Sequence, residues 1–232
     1  MPKQKISVII PVFNEAEILG STLQQLKQKH RGSVDEILIV DGGSTDNTVQ
    51  IAAESGAKVL HSKNKGRAAQ MNLGARMAKG EVLFFLHADT LPPAGFDRHI
   101  INSLEDGADF GSFMLRFDWD HPLLNLYSWF TQFKTPLIRF GDQGLYARRE
   151  NFLHAGCFDE RLTVMEDQKI VYQLRKTGRF GLITKEVITS ARKYRSNGVV
   201  RLQLIFFAIW LGYYLGISQD VLVHFYRSQL SR

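Results

Sequence analysis

Cysteine is almost absent. Cys157 is the only one in 232 residues, which excludes an intrachain disulfide and fits a reducing compartment. A secretory signal is not expected either. Met1-Pro2-Lys3-Gln4-Lys5 runs straight into a strand pattern, without the apolar core of about 7–15 residues that a signal peptide needs. The chain therefore reads as cytoplasmic. Internal repeats, low-complexity tracts and linkers are missing. With 44% hydrophobic and 22% charged residues, the composition supports a packed core rather than disorder. The net charge of +6, from 29 basic and 23 acidic residues, is too diffuse for nucleic acid, and no basic run with interleaved aromatics precedes the C-terminal part. A modest basic excess suits an anionic ligand or an anionic membrane surface. The longest apolar stretch, 202–217, contains Gln203 as its one polar amide. As a helix it would reach about 24 Å, short of a bilayer core of about 30 Å.

What is present starts with two acidic marks. Val40-Asp41-Gly42-Gly43-Ser44-Thr45-Asp46 follows the apolar run 36–40, and Leu86-His87-Ala88-Asp89-Thr90 follows 81–86. Such runs bounded by turn residues read as buried strands. A carboxylate just past a buried strand lies at the carboxyl edge of the sheet, where open α/β folds bind ligands. Two of them fit a nucleotide and a cation bridging its phosphates.

The first hundred residues alternate strand and helix. Residues 6–12 read as a strand, and Asn14 or Glu15 opens a helix to about Lys29, with Ile18, Leu19, Leu23 and Leu26 on one face. After strand 36–40, Ser44, Thr45 or Asp46 can cap the next helix. A short strand at 58–60, a helix from Gly66 to near Gly80 and the strand 81–86 complete a β-α-β-α-β-α-β order. That order predicts a parallel sheet with right-handed crossovers. After Pro92-Pro93 the regularity falls. A strand is expected at 110–117, an aromatic-rich helix at 125–133, a loop entering a strand at 141–149 and a helix at 166–176. The stretch 202–217 has no polar face, so it must be covered by its own domain, a second copy or a membrane interface. Arg192, Lys193, Arg195 and Arg201 precede it and can meet anionic headgroups. Ser218 can cap a final helix.

Several pieces in order resemble the family two glycosyltransferases of GT-A fold. They are Ile9-Ile10-Pro11-Val12-Phe13-Asn14-Glu15, Val40 to Asp46 with Thr48, Gly66-Arg67 through Asn72-Gly74-Ala75, Leu86-His87-Ala88-Asp89, and Gly156-Cys157-Phe158-Asp159-Glu160. The run His87-Ala88-Asp89-Thr90, Gly141-Asp142-Gln143-Gly144, Glu166-Asp167 and Ser190-Ala191-Arg192 also resembles a bacterial subgroup. Its members are associated with radical-SAM and selenodomain proteins and arsenosugar biosynthesis.

The resemblance implies a GT-A (Rossmann-like), mostly parallel sheet flanked by helices, with a C-terminal helical appendage. Residues 1–98 form the nucleotide-sugar half, 99–195 the acceptor half and 196–232 apolar helices. It places Pro11, Phe13, Asn14, Glu15, Asp41, Gly43, Ser44, Gly66, Arg67, Gln70, His87, Ala88, Asp89 and Arg192 around the nucleotide. Asp41 can accept from the N–H of a uracil or guanine. Glu15 can take ribose hydroxyls or cap its helix near the positive macrodipole end. Arg67, near a helix start, can hold a phosphate or stack on a base; an exposed helix arginine is the plainer alternative. Gln70 is equally a core-facing amide. Arg192 can close over the diphosphate, while Lys193 and Arg195 read as surface charges.

Asp89 matches the last carboxylate of the family's Asp-x-Asp pattern, which commonly binds Mg²⁺ or Mn²⁺. His87 stands where the first acid would be, either as a direct ligand, better for Mn²⁺ than Mg²⁺, or as a hydrogen-bond partner of ribose or water. The resemblance also places a catalytic carboxylate at Glu166-Asp167. Asp167 is taken as the base for the acceptor hydroxyl, with Glu166 orienting it or binding the acceptor. Asp142 and Gln143 are expected on the acceptor side, unless they only form a tight polar turn. The expected activity is inverting transfer from a UDP- or GDP-type sugar to a small-molecule or lipid acceptor. Membrane contact or a homodimer would run through 202–217. A sugar-nucleotide-forming nucleotidyltransferase is the rival, though the Gly-rich loop it needs after the first strand is absent. An inactive nucleotide-sugar sensor is the other, kept open by His87.

Overall fold

The computed structural model describes residues 4–230; the outermost ends of the two assigned segments, 1–3 and 231–232, lie outside the described residues. Four strands, β1 (Ile6–Val12), β2 (Val34–Asp41), β3 (Lys58–His61) and β4 (Val82–Phe85), run parallel. Helices α1 (Ala16–Lys29), α2 (Thr48–Glu54) and α3 (Arg67–Met77) connect them. Both faces of this sheet are covered, which is why β1 is an almost unbroken apolar run. Val8, Ile10, Ile39 and Phe84 point into one core with Leu19 and Leu23 of α1. The intervening Ile9, Val40 and Leu83 point into the other with Met71 of α3. The period of two along each strand makes this division. Asp41 pairs with Val12 across β1 and β2, so both strands end level with one another.

The second half adds strands of mixed direction to the mostly parallel sheet. The sheet continues with β5 (Thr90–Leu91), β6 (Phe110–Phe117), β7 (Leu145–Arg148) and β8 (Phe180–Thr189), in the order β3-β2-β1-β4-β7-β6-β8-β5. β7 is antiparallel to both neighbours, and β5 is antiparallel to β8. Helix α4 (Phe96–Glu105) fills the stretch after Pro92-Pro93, where sequence periodicity is weak; Phe96, Ile100 and Leu104 bury it against the first core. The aromatic-rich helix, α5 (Pro122–Phe130), starts earlier than expected. Proline is favoured in a first turn, and the His121 side chain accepts from the Leu123 N–H. Helices α6 (Arg149–His154) and α7 (Glu166–Leu174) precede β8.

After β8 come α8 (Arg192–Asn197), α9 (Val199–Tyr214) and α10 (Gln219–Gln229). Ser218 sits at the N-cap of α10 without a capping side-chain bond. Val199 and Leu202 of α9 belong to the same core as β1 and α4. The apolar helix therefore packs on its own chain with one face, while Val200, Leu204, Phe207 and Leu211 face outward. No helix among the described residues is long and apolar enough to cross a membrane.

Gly74 lets α3 lie directly on β1. A Cβ there would stand 2.4 Å from Ile9 Cγ2. Gly74→Ala should cost about 1–3 kcal/mol by overpacking, read as a lower urea midpoint at unchanged slope. An unchanged midpoint would show that the contact is slack.

Candidate active site

The shelf at the carboxyl edge is built from the loops after β1 and β2. Gln70 of α3 reaches between the two strands and donates to Val12 O at 2.8 Å and Val40 O at 2.7 Å. Its amide is a strut of the sheet edge, as in the core-facing alternative. Asn14 adopts a left-handed conformation, φ 54°. Its Oδ1 accepts from Thr45 N–H, and its own N–H donates to Ser44 Oγ. Thr48 and Asp46 accept from the next two amides, Glu15 N–H and Ala16 N–H, so the second loop caps α1. Asp41 is only 4% exposed, and it accepts from Gly43 N–H and Ser44 N–H. Burial pushes its carboxyl up. Hydrogen bonds from Ser44, Gly43 and His61 outweigh that and hold it below the usual range. Phe13, 59% exposed, crowns the shelf. Pro11 is the residue before last in β1 and pairs with Val40, and Gly66, at φ 111°, turns the chain into Arg67 and α3.

Beside the shelf a cleft of about 570 Å³ brings together Arg67, His87, Asp89, Asp142, Glu166 and Asp167. These residues lie up to 100 positions apart in sequence, from the ends of β4 and α3 to the start of α7. Met165, left-handed at φ 68°, opens α7 so that Glu166 and Asp167 stand in its first turn. Asp167 Oδ2 accepts from Gly141 N–H at 3.1 Å. Only glycine fits there: a Cβ would lie 2.6 Å from Asp167 Oδ2 and 2.5 Å from His87 Nε2. Glu166, nearly fully buried, pairs with Arg67 Nη1 at 3.4 Å. Burial raises both carboxyls. The Asp167 charge adds to the rise of Glu166, while Arg67 and the Gly141 N–H oppose that of Asp167. Burial, joined by the charges of Asp89 and Asp167, pushes Asp142 up to about 6. Burial, with Arg67 and Lys193 nearby, drives His87 well below its usual value, so its imidazole is neutral. Its Nε2 is buried without a partner.

Pairing of Thr90 with Thr189 brings the end of β8 to Asp89, whose carbonyl accepts from Ser190 N–H. Arg192 then contacts Glu15 at 2.7 Å and Asp89 at 3.5 Å. Glu15 thus neither caps α1 with its side chain nor stands free for a ribose. Three further placements differ from expectation. Gln143 is fully buried and donates to Ile138 O while accepting from Arg139, so its side chain is turned away from the cleft. Ala88 is buried, with its carbonyl accepting from Thr22. Lys193 lines the cleft and is not an ordinary surface charge.

Arg139, wholly buried, holds the turn before Gly141 through Gln143 and Thr131 O; nothing local in the sequence marks it. Phe206, Phe207 and Trp210 of α9 form a wall of the cleft, a role their uniform apolarity did not reveal. For a cation, the described residues offer no group of three or more His, Cys, Asp or Glu. Asp89 supplies one accessible carboxylate, and His87 Nε2 is directed at Gly141.

This arrangement, a sheet of four parallel strands extended by mixed ones with an acidic cleft at the carboxyl edge, is that of the GT-A glycosyltransferases. The glycosyl transferase family 2 profile matches residues 7–158, and the chain belongs to that family. It is 38% identical over 93 residues to the glycosyltransferase GlyG of Streptococcus pneumoniae serotype 4, covering 37% of this chain and 30% of GlyG. The matched stretch is thus under a third of that curated relative. Among solved structures, it resembles the mannosyltransferase PcManGT from Pyrobaculum calidifontis in complex with GDP-Man and Mn²⁺. There the TM-score is 0.70 at 19% identity, over 90% of this chain and 63% of that one. It also resembles S. aureus TarS in complex with UDP-GlcNAc, with TM-score 0.66 at 18% identity over 90% and 66%.

The Asp142 carboxyl carries a stability consequence. The folded state holds its proton more tightly than the unfolded chain, about 6 against 3.8. Stability is therefore full below about pH 3.8, falls as pH rises to about 6, and is level above. Asp142→Asn should raise the thermal midpoint at pH 7, with the gap closing toward pH 4. A gap independent of pH would refute this.

Proposed function

We propose that the protein transfers a sugar from a UDP- or GDP-type donor to an acceptor hydroxyl, with inversion at the anomeric carbon. The observation that carries this is Asp167, a half-buried carboxylate that lines the cleft and is oriented by the Gly141 N–H. A base must be ionised and within about 3 Å of the proton it takes, with a pKa drawn toward the working pH. Burial draws Asp167 in that direction. The acceptor oxygen bonds to the anomeric carbon, its proton passes to Asp167, and the bond to the diphosphate breaks on the opposite face. Residues 1–98 act as the donor half and 99–195 as the acceptor half, with 196–232 as a helical wall.

Phe13, Asn14, Asp41, Gly43 and Ser44 offer the shelf for base and ribose. Arg67, Lys193 and Arg192 offer the cations for the diphosphate. The complexes named for PcManGT and TarS, with GDP-Man and with UDP-GlcNAc, support a sugar nucleotide as donor. Bound Mg²⁺ or Mn²⁺ would offset charge on the departing diphosphate. Asp89 would hold it through its carboxylate, and neutral His87, whose Nε2 has no hydrogen-bond partner, lines the same cleft. The finer placement in the radical-SAM and selenodomain-associated subgroup rests on motif order alone. With its lone cysteine, the protein fits a cytoplasmic setting.

Asp167→Asn should bind the donor normally and lose about 10²–10⁴-fold in transfer. Turnover within a few-fold of wild type would move the base elsewhere, and donor binding with no turnover by wild type would identify a sensor. In wild type, transfer should rise with pH as the carboxylate pair sheds its protons. Glu166→Gln removes one negative charge and frees Arg67 for Asp167, so the acidic limb of kcat/KM should move to lower pH. A limb that stays put would uncouple the two carboxyls.

Asp89→Ala should abolish any gain in nucleoside-diphosphate affinity that Mn²⁺ gives over chelator, measured by calorimetry. Equal wild-type affinity in Mn²⁺ and chelator would remove the cation from the site.

A further inference from the structure

The cleft is chemically mixed. It holds Asp89, Asp142, Glu166 and Asp167 against Arg67 and Lys193. Leu137, Phe206, Phe207 and Trp210 add an apolar part to its lining. Phe207 and Trp210 stack at 6.0 Å with an interplanar angle of 19°. Leu137 and Phe207 line the cleft and are also 43% and 58% exposed, so the apolar lining runs out onto the surface between 136–138 and α9. Outside it, α9 presents Leu204, and α5, which packs on α9, presents Leu126 and Trp129. A cleft of this size is ample for a small-molecule ligand.

A sugar nucleotide has no alkyl chain to fill that passage, and its base has a place on the shelf. An anionic acceptor is also disfavoured, because the carboxyls of Glu15, Asp89, Asp142, Glu166 and Asp167 outnumber the cations Arg67, Arg192 and Lys193. A neutral hydroxyl suits it, since it adds no charge and gives up on attack a proton that Asp167 can take. Resting on the transfer reading above, we propose that the acceptor is an amphiphile. Its neutral hydroxylated head reaches Asp167, and its hydrocarbon chain leaves between Leu137 and Phe207 along Trp210.

The test uses the full chain and methyl, butyl, hexyl and octyl β-glucoside, each below its micellar concentration, titrated by calorimetry. Affinity should rise roughly three- to fourfold per methylene that enters the passage. Phe207→Ser and Trp210→Ala should flatten the series, and Leu204→Ser, outside the cleft, should leave it unchanged. A flat wild-type series overturns the proposal. So does a rising one that neither Phe207→Ser nor Trp210→Ala alters. UDP-glucose and GDP-mannose are assayed in parallel. Turnover of either with a flat series sinks the amphiphile alone, whereas a rising series with no binding of any sugar nucleotide sinks the transfer reading and the acceptor role with it. Pelleting with neutral phosphatidylcholine vesicles separates the sources. Co-sedimentation lost in Leu204→Ser means that the amphiphile is met in a membrane; protein left in the supernatant, with a rising series, means that it is met free. Either result supports the amphiphile.

Discussion

Charge in a water-poor cleft is the constraint on which the rest of this structure depends. Asp89, Asp142, Glu166 and Asp167 converge on one cavity, and carboxylates gathered in such a place must be paired, hydrogen-bonded or protonated. Each answer is visible. Arg67 crosses from the first half of the chain to Glu166, and Arg192 returns from near the end to Glu15 and Asp89. Asp167 takes a backbone N–H, and Asp142 keeps its proton to about pH 6. The two arginines thus join segments far apart in sequence around one cleft.

The loops around this cleft are held stiffly. Gln70 ties the ends of β1 and β2, Asp41 folds its own loop onto Gly43 and Ser44, and Arg139 anchors the turn that carries Gly141. Asn14 and Met165 take left-handed conformations beside the two halves of the site. Such conformations cost of order 1–3 kcal/mol for ordinary residues and persist where surrounding contacts over-determine them. Here they aim the shelf and the carboxylate pair of α7.

Helix α9 joins stability to the site. Its inner face completes the core through Val199 and Leu202, and Phe206 and Trp210 close the cleft. The remaining apolar face is left outward. The same segment therefore supports the fold and gives the cleft an apolar wall.

Within the first ninety residues the sequence by itself determined most of the fold. Buried parallel strands are apolar on both faces, and helices between them repeat every three to four residues, so both patterns are local and survive in one dimension. The carboxyl-edge position of Asp41 and Asp89 follows from the same patterns. Beyond Pro92-Pro93, pairing is long-range: β7 is inserted antiparallel between β4 and β6, and β8 joins β6 after more than sixty intervening residues. No local period encodes such choices. Tertiary structure alone decided that Gln70 and Gln143 serve the interior, that Glu15 meets Arg192, that Lys193 enters the cleft and that α9 forms its wall. A residue type states which interactions a side chain can make. Only the packed chain, by bringing distant groups within hydrogen-bond or ion-pair range and excluding water from them, selects which one it does make.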